Sequence, residues 1–154
     1  MITLRGARGD DAYALWLWAN DPDSRAASGD RAVISWADHL RWFGDRSSSP
    51  NARILIAENA EGRPVGCIRF ETVDGWVGAR LSYVVAPEAR GNGIGGAILH
   101  EGTAALLRLR PAVVIEALVR GSNAPSVKLF QRMGWRGEPV AGGRLRFRSA
   151  EAAR

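Results

Sequence analysis

The sequence predicts one α+β domain, a mixed central sheet flanked by helices in the order β-α-α-β-β-β-α-β-α-β-β. Three observations predict it. A length of 154 residues suits a single core that needs no staple. Segments that alternate apolar and polar residues are interleaved with segments of helical period. One glycine-rich turn joins a strand to a good helix at mid-chain. The domain is expected over residues 1–150, with 151–154 as a C-terminal tail.

Ile2 and Leu4 alternate with polar neighbours and open the sheet. Asp10 and Asp11 can start a helix, and Tyr13, Trp16 and Leu17 follow at helical spacing up to about Asn20. Asp21-Pro22-Asp23 reads as a breaker, with a polar loop to about Ile34. Ser35-x-x-Asp38 resembles a capping box. Trp36, Leu40 and Phe43 give the second helix its buried stripe, flanked by His39, Trp42 and Arg46. Three strands follow: Arg53–Glu58, Pro64–Val73 and Trp76–Val85, the last two around a two-residue Asp74-Gly75 turn. That register sets Ile68 and Phe70 on the core face with Ala79, Leu81 and Tyr83. Cys67, Arg69, Glu71, Arg80 and Ser82 fall on the polar face. After the glycine turn, Ile94, Ile98, Ala105 and Leu109 mark the buried side of a long helix. Ala112–Val119 reads as a central strand, Asn123 caps a short helix to Met133, and Trp135–Val140 with Arg144–Arg148 close the chain as a hairpin.

Composition removes several functions. A single cysteine excludes an internal disulfide framework, and two histidines give no zinc-ligand spacing. No apolar run approaches the roughly 18 residues of a membrane span. The N-terminus lacks the apolar core of a signal peptide, so a cytoplasmic protein is expected. The net charge of +5 comes from the last third, where ten basic residues face four acidic ones. An anionic partner fits that balance, but the arginines form no recognisable nucleic-acid motif.

Gly91-Asn92-Gly93-Ile94-Gly95-Gly96 leaves convergent backbone N–H groups at a helix N-terminus, a natural phosphate cradle. Gly91-x-Gly93-x-x-Gly96 also spells the dinucleotide fingerprint. That fingerprint follows its strand at once, inside a parallel unit near the start of a domain. Here Ala86–Arg90 intervene and the preceding strand belongs to an antiparallel hairpin, so a dinucleotide fold is rejected.

The run from Val84 to Gly96 resembles motif A of the GNAT acetyltransferases, with Arg90, Gly93 and Gly95 at its Arg/Gln-x-x-Gly-x-Gly/Ala core. Asn123 to Trp135 resembles motif B. The two occur in the family's order, and the element order matches the GNAT fold over essentially the whole chain. The resemblance implies an acetyl-coenzyme A-dependent N-acetyltransferase. It implies that Arg90, Gly91, Asn92, Gly93, Ile94, Gly95 and Gly96 hold the pyrophosphate. Val84, Val85 and Ala86 would then follow the pantetheine arm, met by Asn123 and Ser126. Phe130 stands by the cofactor where many relatives carry a Tyr near the sulfur, and a phenyl ring donates no proton.

Two residues are candidates for catalysis. Glu71 lies on the polar strand face, where an ion pair with Arg69 or Arg80 is the competing reading. His39 has a suitable intrinsic pKa, against a packing role beside Trp42. The stretch Trp18–Ser28, with Ile34–Trp36 and His39–Phe43, resembles the amino-sugar nucleotide N-acetyltransferases of the pseudaminic-acid branch. It implies Asn20, Arg25, Ser28, His39 and Trp42 as acceptor contacts and the amine of a UDP-linked amino sugar as acceptor. The expected partners are thus a small-molecule amine acceptor, a nucleotide sugar among them, and a second copy of the chain in a homodimer. No nucleic acid, membrane or metal is expected. A protein N-terminus, an aminoglycoside or a polyamine as acceptor stays open, as does a non-catalytic acyl-coenzyme A sensor.

Overall fold

The computed structural model describes residues 1–149, so Ala150 and the expected 151–154 tail lie outside the described residues. Seven strands form one sheet: β1 (Thr3–Gly6), β2 (Ala52–Glu58), β3 (Pro64–Glu71), β4 (Gly78–Val85), β5 (Val114–Arg120), β6 (Arg136–Val140) and β7 (Arg144–Arg148). Their spatial order is β1-β2-β3-β4-β5-β7-β6, with β4 and β5 parallel and every other pair antiparallel. Five helices cover the faces: α1 (Ala12–Ala19), α2 (Pro22–Ser28), α3 (Trp36–Ser48), α4 (Ile94–Leu109) and α5 (Ala124–Arg132). The α+β architecture read from the sequence is the observed one.

The strand pleat divides the core into two. Leu55, Ile68, Phe70, Leu81 and Ile115 join α4 and α5 on one side, while Ile54, Ile56 and Cys67 meet α1 and α3 on the other. Burial of such side chains contributes about 1.5–3 kcal/mol each and holds the layers together. The expected faces of β3 and β4 are observed, because Ile68 pairs with Tyr83 and Phe70 with Leu81. The turn is not. Asp74-Gly75 lies inside a longer loop over 72–77, where Asp74 Oδ1 accepts from Gly78 N–H at 3.0 Å and Thr72 Oγ1 from Trp76 N–H at 3.0 Å. The strands therefore slide by one pair, to Glu71 opposite Arg80, which preserves the face of every side chain.

Three helices present different stripes from those expected. In α1 the buried residues are Ala12, Leu15 and Trp18, while Tyr13 and Leu17 are exposed. The helix is apolar all round, so its period carries no direction. In α3 His39 and Phe43 face the sheet, and Trp36 and Leu40 are exposed. In α4 the stripe runs through Ile98, Leu99, Gly102, Thr103 and Leu106, and Leu109 is exposed. Gly102 sets that rotation: a Cβ there would stand 2.6 Å from Ile68 Cδ1, so the helix backbone lies directly on β3.

The stretch expected as loop after Asp21 contains α2. Asp21 caps it by accepting from Ser24 N–H at 3.3 Å, Pro22 occupies its first turn, and Gly29 ends it in the left-handed region. The residues of the breaker are those of a short helix with both its caps.

Candidate active site

The central strands separate where the glycine turn begins. β4 and β5 pair only over Gly78–Arg80 with Val114–Glu116. Beyond Arg80 the β5-facing edge of β4 carries no partner among the described residues, so residues 81–85 border a V-shaped gap. β4 ends at Val85; the next N–H, that of Ala86, still donates to Val65 O at 2.8 Å, and the chain turns through Pro87–Ala89 into the glycines. Gly91 and Gly93 have φ of +81° and +75°, a region closed to most side chains. No atom lies within 4 Å of where their Cβ atoms would be, so the turn is open on that side. Gly93 caps α4 without any side-chain hydrogen bond, which leaves the first N–H groups of a sixteen-residue helix available. Gly95 and Gly96 sit in that first turn against Leu129 of α5.

Arg90 does not point into this cradle. Its guanidinium donates to Asp21 Oδ2 at 2.8 Å and Ser24 Oγ at 3.3 Å, and lies 3.5 Å from Asp23. Its side chain instead forms a latch between the glycine turn and the N-terminus of α2, leaving its backbone in the turn. Partial burial opposes ionisation of Asp21, but the Arg90 hydrogen bond and the Ser24 N–H outweigh it and hold the carboxyl below the usual range.

The other wall of the gap comes from α5. Asn123 Oδ1 accepts from Ser126 N–H at 3.4 Å, and Tyr83 Oη donates to the buried Ser126 Oγ at 2.9 Å. This hydroxyl pair links β4 to α5 across the opening. Burial pushes the Tyr83 phenol up, against the Ser126 hydrogen bond, so it stays protonated. Tyr83 is half-buried with a polar tip at the gap, not a plain core residue. Phe130 is the reverse case. It is 0% exposed and stacks on Phe147 at 5.2 Å, with Trp135 at 5.3 Å and Tyr83 edge-on at 6.2 Å. It packs the core behind the gap.

The expected acceptor contacts are absorbed by local structure. Asn20 clamps the backbone of Ile34 from both sides, donating at 3.0 Å and accepting at 2.8 Å. Arg25 donates to Ala19 O at 2.7 Å, and Ser28 Oγ to Arg25 O at 2.9 Å. These residues shape α2 and its exit instead of reaching outward. His39 is 3% exposed, its Nε2 donating to Ala12 O at 2.7 Å, with its ring stacked with Trp36 and Phe43. Burial keeps it below its ordinary pKa, against the Ala12 hydrogen bond, so it is a neutral core histidine and no base. Trp42 is half-buried and carries the Arg69 guanidinium 4.9 Å above its ring. Glu71 lies 3.0 Å from Arg69 and 3.3 Å from Arg46, and it sits opposite Arg80 at the apex of the gap. The structure thus places His39 inside the core and Glu71 in ion pairs with two arginines.

What lies at the mouth of the gap was not expected. An opening of about 460 Å³ is lined by Ala27–Asp30 at the C-terminal end of α2, Leu118 and Arg120 of β5, and Gly142 and Arg144 of the last hairpin. α2 spans this mouth, tied to the glycine turn at one end by Asp21 and packed beside β5 at the other. Arg144 was visible as one of three alternating arginines, but Arg120 gave no signal because its partner strand is set only by the sheet order. Among the described residues no group of three or more His, Cys, Asp or Glu could hold a metal, and no helix is long and apolar enough to cross a membrane.

This geometry has known counterparts. The family model described as an acetyltransferase (GNAT) domain matches residues 1–136. The Bacillus subtilis protein YwnH, named as a phosphinothricin acetyltransferase, is 32% identical over 143 residues, covering 87% of this chain and 83% of its own. Among solved structures, a Vibrio cholerae spermidine N-acetyltransferase in complex with CoA and spermine superposes with a TM-score of 0.83 at 16% identity, over 96% of this chain and 92% of the other. A Brucella melitensis ribosomal-protein-alanine N-acetyltransferase gives 0.78 at 25% identity, over 96% and 98%. With a family match over most of its length and a relative above 30% identity, the chain belongs to the GNAT acetyltransferases.

Proposed function

We propose that this protein moves the acetyl group of acetyl-coenzyme A to the primary amine of a small molecule, by direct attack in a ternary complex. The donor is acetyl-coenzyme A. One observation carries the reading: the free edge of β4 opens beside the uncovered glycine turn at the N-terminus of α4. An amide-rich arm can add to such an edge as a strand does, and a pyrophosphate matches the N–H groups at the helix start. Val84, Val85 and Ala86 would hold the arm, Gly91–Gly96 the pyrophosphate, and Asn123 and Ser126 the end that enters the gap. The bound donor supplies an activated thioester.

The chain's own groups orient and exclude water around that bond. Tyr83 and Ser126 place two hydroxyls across the gap, with a proton held on Tyr83 Oη by burial. Neither of the two candidates stands ready as base, since His39 is enclosed and Glu71 is paired, so the amine proton leaves through solvent in the open mouth. Positioning supplies the rate.

The relatives are named for phosphinothricin, spermidine and a ribosomal-protein alanine, three different kinds of amine. A UDP-linked amino sugar is retained as a fourth, with less support once Asn20, Arg25 and Ser28 are committed internally. A homodimer belongs to the same reading as an expectation that sedimentation velocity tests. The decisive experiment is thiol release with acetyl-coenzyme A against phosphinothricin, a UDP-amino sugar, spermidine and an alanyl peptide. Cys67 adds no background, because burial, only partly offset by Arg69, pushes its thiol up to about 12. Turnover of a small amine supports the proposal. Tight coenzyme A binding without release on any amine would show a sensor instead.

A further inference from the structure

One pair of like charges faces across the sheet without a counterion among the described residues. Arg120, at the end of β5, lies directly opposite Arg144, at the start of β7. Like charges in that position repel. The neighbouring arginines of the same strands are compensated: Arg146 reaches Glu138 at 3.3 Å and Glu116 at 3.8 Å, and Arg148 reaches Glu138 at 3.8 Å. Arg80, across the apex of the gap, pairs with Glu116 at 3.1 Å. Among the described residues neither Arg120 nor Arg144 has a carboxylate within 4.0 Å. The two uncompensated guanidiniums are also the two that line the 460 Å³ opening at the mouth of the gap.

The backbone crowds them there. A Cβ on Gly29 would stand 3.2 Å from the Arg120 guanidinium carbon, so the exit of α2 holds that side chain against the opening. Asp30, the one acidic residue among those lining the cavity, accepts from Ala32 N–H at 2.9 Å and lies across from the arginine pair. Two adjacent planar forks match an oxyanion, which takes paired charge-assisted hydrogen bonds from each.

We infer that this opening is the acceptor site and that Arg120 and Arg144 bind an anionic group carried by the acceptor amine. The inference rests on the acetyl-transfer function proposed above and narrows its substrate class. The acceptor is an amine bearing a carboxylate, phosphinate or phosphate, and polycations are excluded by the same two charges. The anion has two chemical sources: an amino-acid-like molecule with its own acid group, or the diphosphate of a nucleotide sugar.

The test uses the full chain, Arg120→Gln, Arg144→Gln and the double variant. Isothermal titration measures coenzyme A, phosphinothricin (an amino acid with a phosphinate), a UDP-sugar and spermidine separately, and thiol release follows kcat/KM. The wild type should bind phosphinothricin or the UDP-sugar, and which of the two binds identifies the source. Each single variant should weaken that anion by about tenfold, as loss of a charge-assisted pair does. Coenzyme A affinity should not change. The thermal midpoint of the double variant should not fall, because a repulsion has been removed, whereas a merely structural pair would lower it. Unchanged anion affinity in the double variant, no anion binding by the wild type, or spermidine as the preferred acceptor would each overturn the assignment. Loss of coenzyme A binding in the wild type would instead strike at the transfer function itself.

Discussion

Asp21 joins two contributions that substitution can separate. Its carboxylate caps α2 through Ser24 N–H and pairs with Arg90 at 2.8 Å, the two side chains being 17% and 33% exposed. Asn caps a helix as well as Asp does, so Asp21→Asn removes only the ion pair, at about 0.5–1 kcal/mol for a pair this accessible. Asp21→Ala also removes the cap and loses about 1 kcal/mol more. At about 2–4 °C per kcal/mol for a chain of this size, the midpoint falls by about 1–4 °C in the first variant and about 3–8 °C in the second. Thermal melts followed by circular dichroism read both, and Arg90→Gln completes a double-mutant cycle with an expected coupling of about 0.5–1 kcal/mol. An Asp21→Asn protein as stable as the wild type, with no coupling to Arg90→Gln, would refute the latch. The pair then would be surface dressing, and α2 would be held at the mouth by packing alone.

Three other substitutions probe the remaining assignments. Gly93→Ala meets no neighbour but forces an alanine to φ near +75°, which costs about 1 kcal/mol, and it should weaken coenzyme A binding in calorimetry. Phe130→Tyr adds a hydroxyl to a ring enclosed by Phe147 and Trp135, so stability should drop by about 1–3 kcal/mol in urea titrations with no gain in turnover. Higher turnover would return position 130 to the reacting centre. His39 is held neutral by burial, so between its lowered native pKa and about 6.5 the unfolded chain binds the extra proton, and stability rises with pH through that window. His39→Gln keeps a donor for Ala12 O without titrating, and its urea midpoints at about pH 5 and about pH 7.5 should lie closer together than those of the wild type.

The charge surplus of the last third takes on a definite form in the fold. Half of its cations lie on the three strands at the far side of the gap, where Glu116 and Glu138 compensate Arg146 and Arg148. Among the described residues, Arg120 and Arg144 line the cavity and have no such partner. The glycine turn, by contrast, presents backbone N–H groups, while the side chain of its arginine is engaged by Asp21.

Much of this protein was legible along the chain because it is local. Turn chemistry and periodicity lie within a window of a few residues, so the element order, the glycine turn before α4, the Asn123 cap and the α+β class follow from them. The faces of β3 and β4 survived a wrong turn because a slip by a whole pair keeps every side chain on its side. The site itself is not local. Arg90 meets Asp21 across 69 residues, and Tyr83 meets Ser126 across 43. Insertion of β7 beside β5 is what sets Arg144 against Arg120. Each side chain goes to the partner that best compensates its charge or fills its contact, and that partner exists only once the sheet has assembled. His39 shows the same physics from the other side: the sequence named a residue able to do chemistry, and packing gave it a core to fill.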